Sequence, residues 1–344
     1  MGTRMTKAQL ETIARAAGFD AVGVARAGEA PHTEAFLEWL ALGMHASMEW
    51  MEREPGRRCR PDALLPGARS VIALAVNYFV SPEPEAGEGI HGVIARYARG
   101  RDYHNWIPKR LRTVDRSLAT AGGVQRCFVD SGPLLERDFA VMAGIGWHGK
   151  STMVLHPKLG TWFFLAAILT TLEIGEDVPL RDRCGSCTRC IEACPTAAIV
   201  APYRLDARRC ISYWTIEHEG PLPEWIRPLI GNRIFGCDDC LEACPWNRFA
   251  VASREAAVAS RPASHWPLRD YLGLDDGAFR KLFEGSPVRR AGRQGFLRNV
   301  CTALGNVGDE RDLAALRTAH ADPDRVVAEH AGWAIGQIAS RQAK

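Results

Sequence analysis

The sequence predicts a mixed α/β domain over residues 1–175, a small cysteine-organised domain over 176–250, and an all-helical domain over 251–344. Three observations predict this. Short valine-rich apolar runs alternate with helix-patterned segments in the first half. Eight of the eleven cysteines crowd between Cys184 and Cys244. Three amphipathic stretches joined by short polar turns close the chain.

Thr6-Lys7-Ala8-Gln9 reads as a capping box, and Leu10, Ile13, Ala14 and Ala17 follow at helical spacing until Gly18. Ala21–Val24 and Val71–Val80 read as strands, with a helix near Glu34–Leu42 and a basic turn at Arg57–Pro61 between them. Leu111, Val114 and Leu118 mark a helix closed by Gly122-Gly123. Arg126–Val129 then reads as a strand delivering Asp130 to its carboxyl end. A helix over Leu134–Ala143, a glycine-rich turn and a buried strand over Thr161–Thr171 complete the domain. At the other end, Phe296–Leu304, Leu313–Ala319 and Arg325–Ile338 are helical. The last stretch, DPDRVVAEHAGWAIGQI (322–338), has the Asp-Pro start and Trp-Ala-Ile-Gly packing ridge of a HEAT-type repeat. Fewer than three repeats are visible, so a helical cap is expected rather than a solenoid.

The cysteines carry the chemistry. CGSCTRCIEACP, from Cys184 to Pro195, has the spacing of a bacterial ferredoxin: three thiolates for one cubane and a fourth reaching a second. CDDCLEACP, from Cys237 to Pro245, repeats the ending but has Ile234 where a first cysteine would stand, and Cys210 can fill the gap. Crossover then assigns Cys184, Cys187, Cys190 and Cys244 to one [4Fe–4S] cluster. Cys194, Cys210, Cys237 and Cys240 hold the other. Disulfides suit short secreted chains, and the start MGTRMTKAQL lacks an apolar signal segment. Structural zinc has no need for proline after each terminal cysteine. Cys59, Cys127 and Cys301 stand alone and read as small core residues or bystanders.

At 344 residues, 47% hydrophobic and 24% charged, the composition is that of a globular protein, and the longest apolar run, Trp162–Leu169, cannot span a bilayer. A cytoplasmic protein with no membrane partner is expected from the quantity of reduced thiol. The net charge of +3 is uneven. Arg280 to Arg298 holds six basic residues against Glu284, and Arg96 to Arg116 holds seven against Asp102 and Asp115. Such faces suit a polyanion, and a solvated surface is the plain alternative.

Gly144 to Ser151 (GIGWHGKS) matches the phosphate-loop pattern GxxxxGK(S/T). A working loop follows a strand and opens a helix, whereas here a helix precedes and an extended segment follows. Nucleotide hydrolysis is therefore not expected, and a close-approach turn against a flat cofactor is. Asp130 is the acid–base candidate, since burial at a strand's end can raise a carboxyl's pKa; an Asp-Ser-Gly turn is the plain reading. His91, His104, His148 and His218 are candidate ligands or proton donors, but no spacing among them gives a metal site. Tyr103-His104 beside Arg101-Asp102 suggests a polar pocket lining.

Several long strings together resemble the epoxyqueuosine reductase family: RYARGRDYH (96–104), FVDSGPLLERDFAVMAGIGWHGKST (128–152), DARRCISYWTIEHEG (206–220), NRIFGCDDCLEACPWNR (232–248) and GSPVRRAGRQGFLRNVCTALGN (285–306). The resemblance implies a nitroreductase-like cobalamin-binding N-terminal domain, two [4Fe–4S] clusters and a HEAT-like tail. It implies reduction of epoxyqueuosine to queuosine in a tRNA anticodon, with Asp130 as proton donor and cobalamin recharged through the clusters. Cofactor-side positions carried over are Arg58, Tyr103, His104, Asp130, Gly146, Trp147, Gly149, Lys150 and Ser212. Arg289, Arg290, Arg293 and Arg298 are expected to hold tRNA, an electron donor is required, and a monomer is expected. Two alternatives stand beside it. A cobalamin- and cluster-dependent dehalogenase predicts an export signal and no anion-binding tail, and a non-enzymatic cluster-bearing nucleic-acid module predicts no corrinoid.

Overall fold

The computed structural model describes residues 5–81 and 88–343. Helix α1 (Lys7–Ala16) starts at the Thr6 capping box and ends before Gly18, which adopts φ +91°. Strand β1 (Ala21–Arg26), helix α2 (Thr33–Ala41), strand β2 (Ser70–Asn77), helix α3 (Tyr103–Thr120) and strand β3 (Gln125–Phe128) follow. Helix α4 (Glu136–Met142) and strand β4 (Phe163–Thr170) complete the unit. Each expected strand and helix of the first half is present.

The sheet has the order β1-β2-β4-β3, and every pairing is antiparallel. The mixed α/β unit read from the sequence is thus of the α+β kind, an antiparallel sheet with helices on both faces. The connections return each neighbouring strand in the opposite direction, as the β2–β4 register from Ser70↔Thr170 to Asn77↔Phe163 shows. All eight residues of β2 are buried because both faces are covered. Ile72, Leu74 and Val76 join a core with Leu10 of α1 and Ile107, Leu111 and Val114 of α3. Val71, Ala73 and Ala75 face Phe139 and Ala140 of α4.

Helices α5 (Gly292–Val307), α6 (Leu313–His320) and α7 (Arg325–Gln342) form the C-terminal layer. At Gly305 a β-carbon would stand 2.3 Å from the Trp333 ring, so only glycine lets α5 and α7 close to this distance. This core also takes in Ile94, Ile234 and Phe235 from a short parallel pairing of Val93–Ile94 with Arg233–Phe235. Ile234, standing where the second cysteine run lacks its first thiol, is fully buried there as packing. Cys59 and Cys301 are buried core thiols, as read from the sequence, while Cys127 is exposed on β3. Among the described residues no helix is long and apolar enough to cross a membrane.

Candidate functional site

The eight clustered cysteines lie on loops and one-turn helices, Arg189–Glu192 and Asp239–Glu242, and every one is partly buried. Their thiols fall into two electrostatic groups. Burial, then the neighbouring Cys184 and Cys187, push the Cys190 thiol up. Burial pushes Cys244 up to about 11, with Cys184, Cys190 and Cys187 adding to the effect. Cys240 is raised by burial and then by Cys210, Cys237 and Cys194. Eight thiols whose anions repel one another at two points are a donor set that iron satisfies, because the metal supplies the missing positive charge.

Side chains from the first domain complete the first group. Lys150 Nζ donates to the carbonyls of Gly185 at 2.6 Å and Cys187 at 3.0 Å, so its ammonium grips the cysteine loop. The Trp147 indole N–H, buried without an oxygen or nitrogen acceptor among the described residues, lies against the Cys184 thiol. In the second group the Ala198 N–H donates to Cys194 Sγ at 3.2 Å, and Ser212 Oγ lies 3.5 Å from the Cys237 carbonyl. Ser212 opens a π-helical turn, Tyr213–Glu217, of the kind that marks functional sites.

The glycine-rich turn has α4 before it and a hairpin of Trp147–His148 with Val154–Leu155 after it, so no helix opens toward a phosphate. Added β-carbons at Gly146 and Gly149 would meet Leu155 at 2.1 and 2.2 Å. Both glycines thus answer to packing inside the hairpin.

Asp130 lies two residues beyond β3 with φ +57°, a conformation that L-residues hold only under local constraint. Glu136 supplies the constraint: both its carboxylate oxygens accept the Asp130 N–H, at 3.0 and 3.1 Å. Tyr103 Oη donates to Asp130 Oδ2 at 2.6 Å, and His104 Nε2 lies 3.8 Å from the same oxygen. The Tyr103 ring is stacked between His104 and Phe164, so its hydroxyl has little freedom. Asp130 itself is 67% exposed at its side chain, so the burial expected of it is not found. Burial instead acts on Glu136, whose carboxyl it pushes up to about 8, reinforced by the Asp130 charge.

Arg58 passes beside this loop, its carbonyl accepting from Leu135 N at 3.1 Å. Its Nε is a buried donor without a partner among the described residues. A large cofactor edged with amide and phosphate acceptors, as cobalamin is, fits such a donor.

The four arginines expected to hold nucleic acid have separate fates. Arg298 is 1% exposed and donates to the carbonyls of Trp214, His218 and Gly220 and to Asn299 Oδ1. It is an internal fastener and cannot reach a phosphate. Arg293 is largely buried, bonded to the Leu274 carbonyl and to Asp322. Arg290 forms a two-pronged pair with Glu217, both bonds 2.8 Å, and its charge is felt at Tyr97 and Asp130. Arg289 is exposed like Arg290, with Arg280 and Lys281 also exposed nearby in sequence.

Sequence reasoning missed Glu136 and Glu217, both inside strings it singled out but without spacing that marks a role. It also found no metal-like histidine arrangement, whereas the fold brings His148 together with His32 and Asp138.

A family model described as "4Fe-4S double cluster binding domain" matches residues 183–247. A second, "Epoxyqueuosine reductase QueG, DUF1730", matches residues 58–131. The chain is 44% identical over 339 residues to the epoxyqueuosine reductase of Xanthomonas campestris, covering 96% of this chain and 95% of that protein. It is 40% identical over 337 residues to that of Escherichia coli, covering 94% and 87%. A crystal structure of epoxyqueuosine reductase with a tRNA-Tyr epoxyqueuosine-modified stem loop superposes with a TM-score of 0.91 at 32% identity, covering 96% and 90%.

Proposed function

The chain belongs to the epoxyqueuosine reductase family, and from that premise we propose how its own residues reduce epoxyqueuosine to queuosine in tRNA. Membership is end to end, which displaces the dehalogenase and the non-enzymatic module as readings. The family's cofactors are two [4Fe–4S] clusters and cobalamin. Removing an epoxide oxygen as water, leaving an alkene, takes two electrons and two protons. Cobalamin supplies low-potential electrons or a nucleophilic cobalt when bound.

Residues 1–175 form the nitroreductase-like cobalamin domain in this reading, with Arg58, Tyr103, His104, Asp130, Gly146, Trp147, Gly149 and Lys150 on the cofactor side, joined by Ser212 of the next unit. Residues 176–250 carry the clusters, ligated by Cys184, Cys187, Cys190 and Cys244 and by Cys194, Cys210, Cys237 and Cys240. The two electrostatic groups of thiols support that division. Residues 251–344 are the HEAT-like tail. Its exposed Arg280, Lys281 and Arg289, with Arg101, Lys109, Arg112 and Arg116 of the other basic stretch, are the side chains free to meet tRNA phosphates.

One observation carries the mechanism: the Tyr103 hydroxyl donating to an outward-facing Asp130 carboxyl held at φ +57°. Asp130 gives one proton to the departing epoxide oxygen, and solvent supplies the second that releases it as water. The carboxylate left behind keeps the Tyr103 hydrogen bond, and burial raises the tyrosine's own pKa so that it stays a donor. Glu136 fixes the Asp130 backbone. Lys150 and Trp147 hold the loop and sulfur of the first cluster, and an outside donor supplies the electrons. The thiolate clusters suit a reducing cytoplasm, and the protein acts as a monomer.

Anaerobic protein with reconstituted clusters, cobalamin and a chemical reductant should convert epoxyqueuosine in tRNA-Tyr to queuosine, read by nucleoside mass spectrometry. Conversion that is equally fast without cobalamin would overturn the reading.

A further inference from the structure

We propose that His32, Asp138 and His148 form a binding site for a divalent transition metal, with Zn²⁺ as the best-matched ion. The site is separate from the cysteines. His32 precedes α2, Asp138 lies within α4, and His148 stands on the hairpin strand that also carries Trp147. Three distant stretches of chain therefore converge on one point.

Both imidazole nitrogens already meet one carboxylate oxygen. Asp138 Oδ1 lies 2.9 Å from His32 Nδ1 and 3.0 Å from His148 Nε2, and all three ligating atoms fall within 4.8 Å of one another. Metal bonds of about 2.1 Å in a tetrahedron separate neighbouring donors by about 3.4 Å, so the two carboxylate–imidazole separations open by a few tenths of an ångström and the two imidazole nitrogens, within 4.8 Å of each other, close to match. The two rings meet edge to face at 4.7 Å. Asp138 is 5% exposed, and its second oxygen accepts the His32 N–H at 3.0 Å, which fixes the carboxylate's orientation.

Two imidazoles and one carboxylate select borderline ions such as Zn²⁺, Co²⁺ or Ni²⁺ over Mg²⁺ and Ca²⁺, which prefer oxygen donors. The His32 side chain is 56% exposed, which gives the ion a route from solvent and leaves a fourth position for water. An occupied site would tie the start of α2 and α4 to the hairpin. From that hairpin's end, Lys150 grips the first cysteine loop. The plain alternative is a carboxylate accepting an N–H from each imidazole, with no ion needed.

The test titrates ZnCl₂ into cluster-loaded, chelator-treated protein under anaerobic conditions, by calorimetry, with the cluster absorbance followed in parallel. One equivalent should bind with the cluster spectrum unchanged. His32→Ala alters an exposed side chain, so folding is preserved, and it should weaken binding by at least about tenfold. Zinc should also raise the thermal midpoint of the unsubstituted protein but not of His32→Ala. No binding to the unsubstituted protein, or undiminished binding to His32→Ala, would overturn the proposal. Binding that bleaches the clusters would assign the zinc to the thiolates and overturn it equally.

Discussion

Both carboxylate oxygens of Glu136 accept the backbone N–H of Asp130, at 3.0 and 3.1 Å. That contact holds the proposed acid in a left-handed conformation that a residue with a β-carbon rarely adopts. Removing the acceptor in Glu136→Ala frees the loop to relax. Turnover should fall by about tenfold or more, because catalytic groups displaced by an ångström lose rate steeply. Glu136→Gln keeps an acceptor and should retain most activity. Steady-state rates of the two variants separate a positioning role from mere packing.

Glu136 also sets a pH dependence. Its carboxyl is raised from 4.5 to about 8 by burial and by the Asp130 charge, so the folded state favours the protonated form. The resulting stability is full below pH about 4.5 and is lost as pH rises through about 8. Thermal midpoints measured from pH 6 to 9 should fall for the unsubstituted protein relative to Glu136→Gln. Parallel curves would remove Glu136 from the titration.

Much of this site was legible in the sequence. The cysteine spacing carries the two thiol groups because a cluster dictates its own loop, and proline after the terminal cysteine is local chemistry. The strand ahead of Asp130 and the capping box before α1 are likewise local signals. Antiparallel pairing was not legible, since it depends on how long connections return. Arg298 is the sharpest lesson: within a run of basic residues it looks like a phosphate contact, yet its helix turns it inward onto three carbonyls. Charge density along a chain does not say which face of a helix a side chain occupies.

Arg298 and Arg289 should therefore behave oppositely. Arg298→Met leaves buried carbonyls unpaired and should cost about 3 kcal/mol or more of stability. Arg289→Glu should leave stability unchanged and weaken tRNA binding, with the salt-dependence slope reduced by about one. Thermal unfolding and filter binding at several salt concentrations measure both. A destabilised Arg289→Glu with normal affinity would reverse the assignment.

Cluster ligation divides the eleven cysteines. Cys210→Ser should lose most of one cluster's iron and sulfide, while Cys59→Ser and Cys301→Ser keep both clusters. Anaerobic iron and sulfide analysis reads this directly. Two full clusters in Cys210→Ser would break the crossover assignment.

The central claim is that Asp130 protonates the epoxide oxygen, and Asp130→Asn tests it most directly. The amide keeps the side chain's shape and can still accept the Tyr103 hydrogen bond, but it has no acidic proton. Single-turnover conversion of epoxyqueuosine in tRNA by the fully loaded variant, read by nucleoside mass spectrometry, should slow by about a hundred- to ten-thousandfold. Cobalamin, cluster and tRNA binding should remain intact. A rate within a few-fold of the unsubstituted protein would contradict the account and pass the proton to Tyr103, His104 or a bound water.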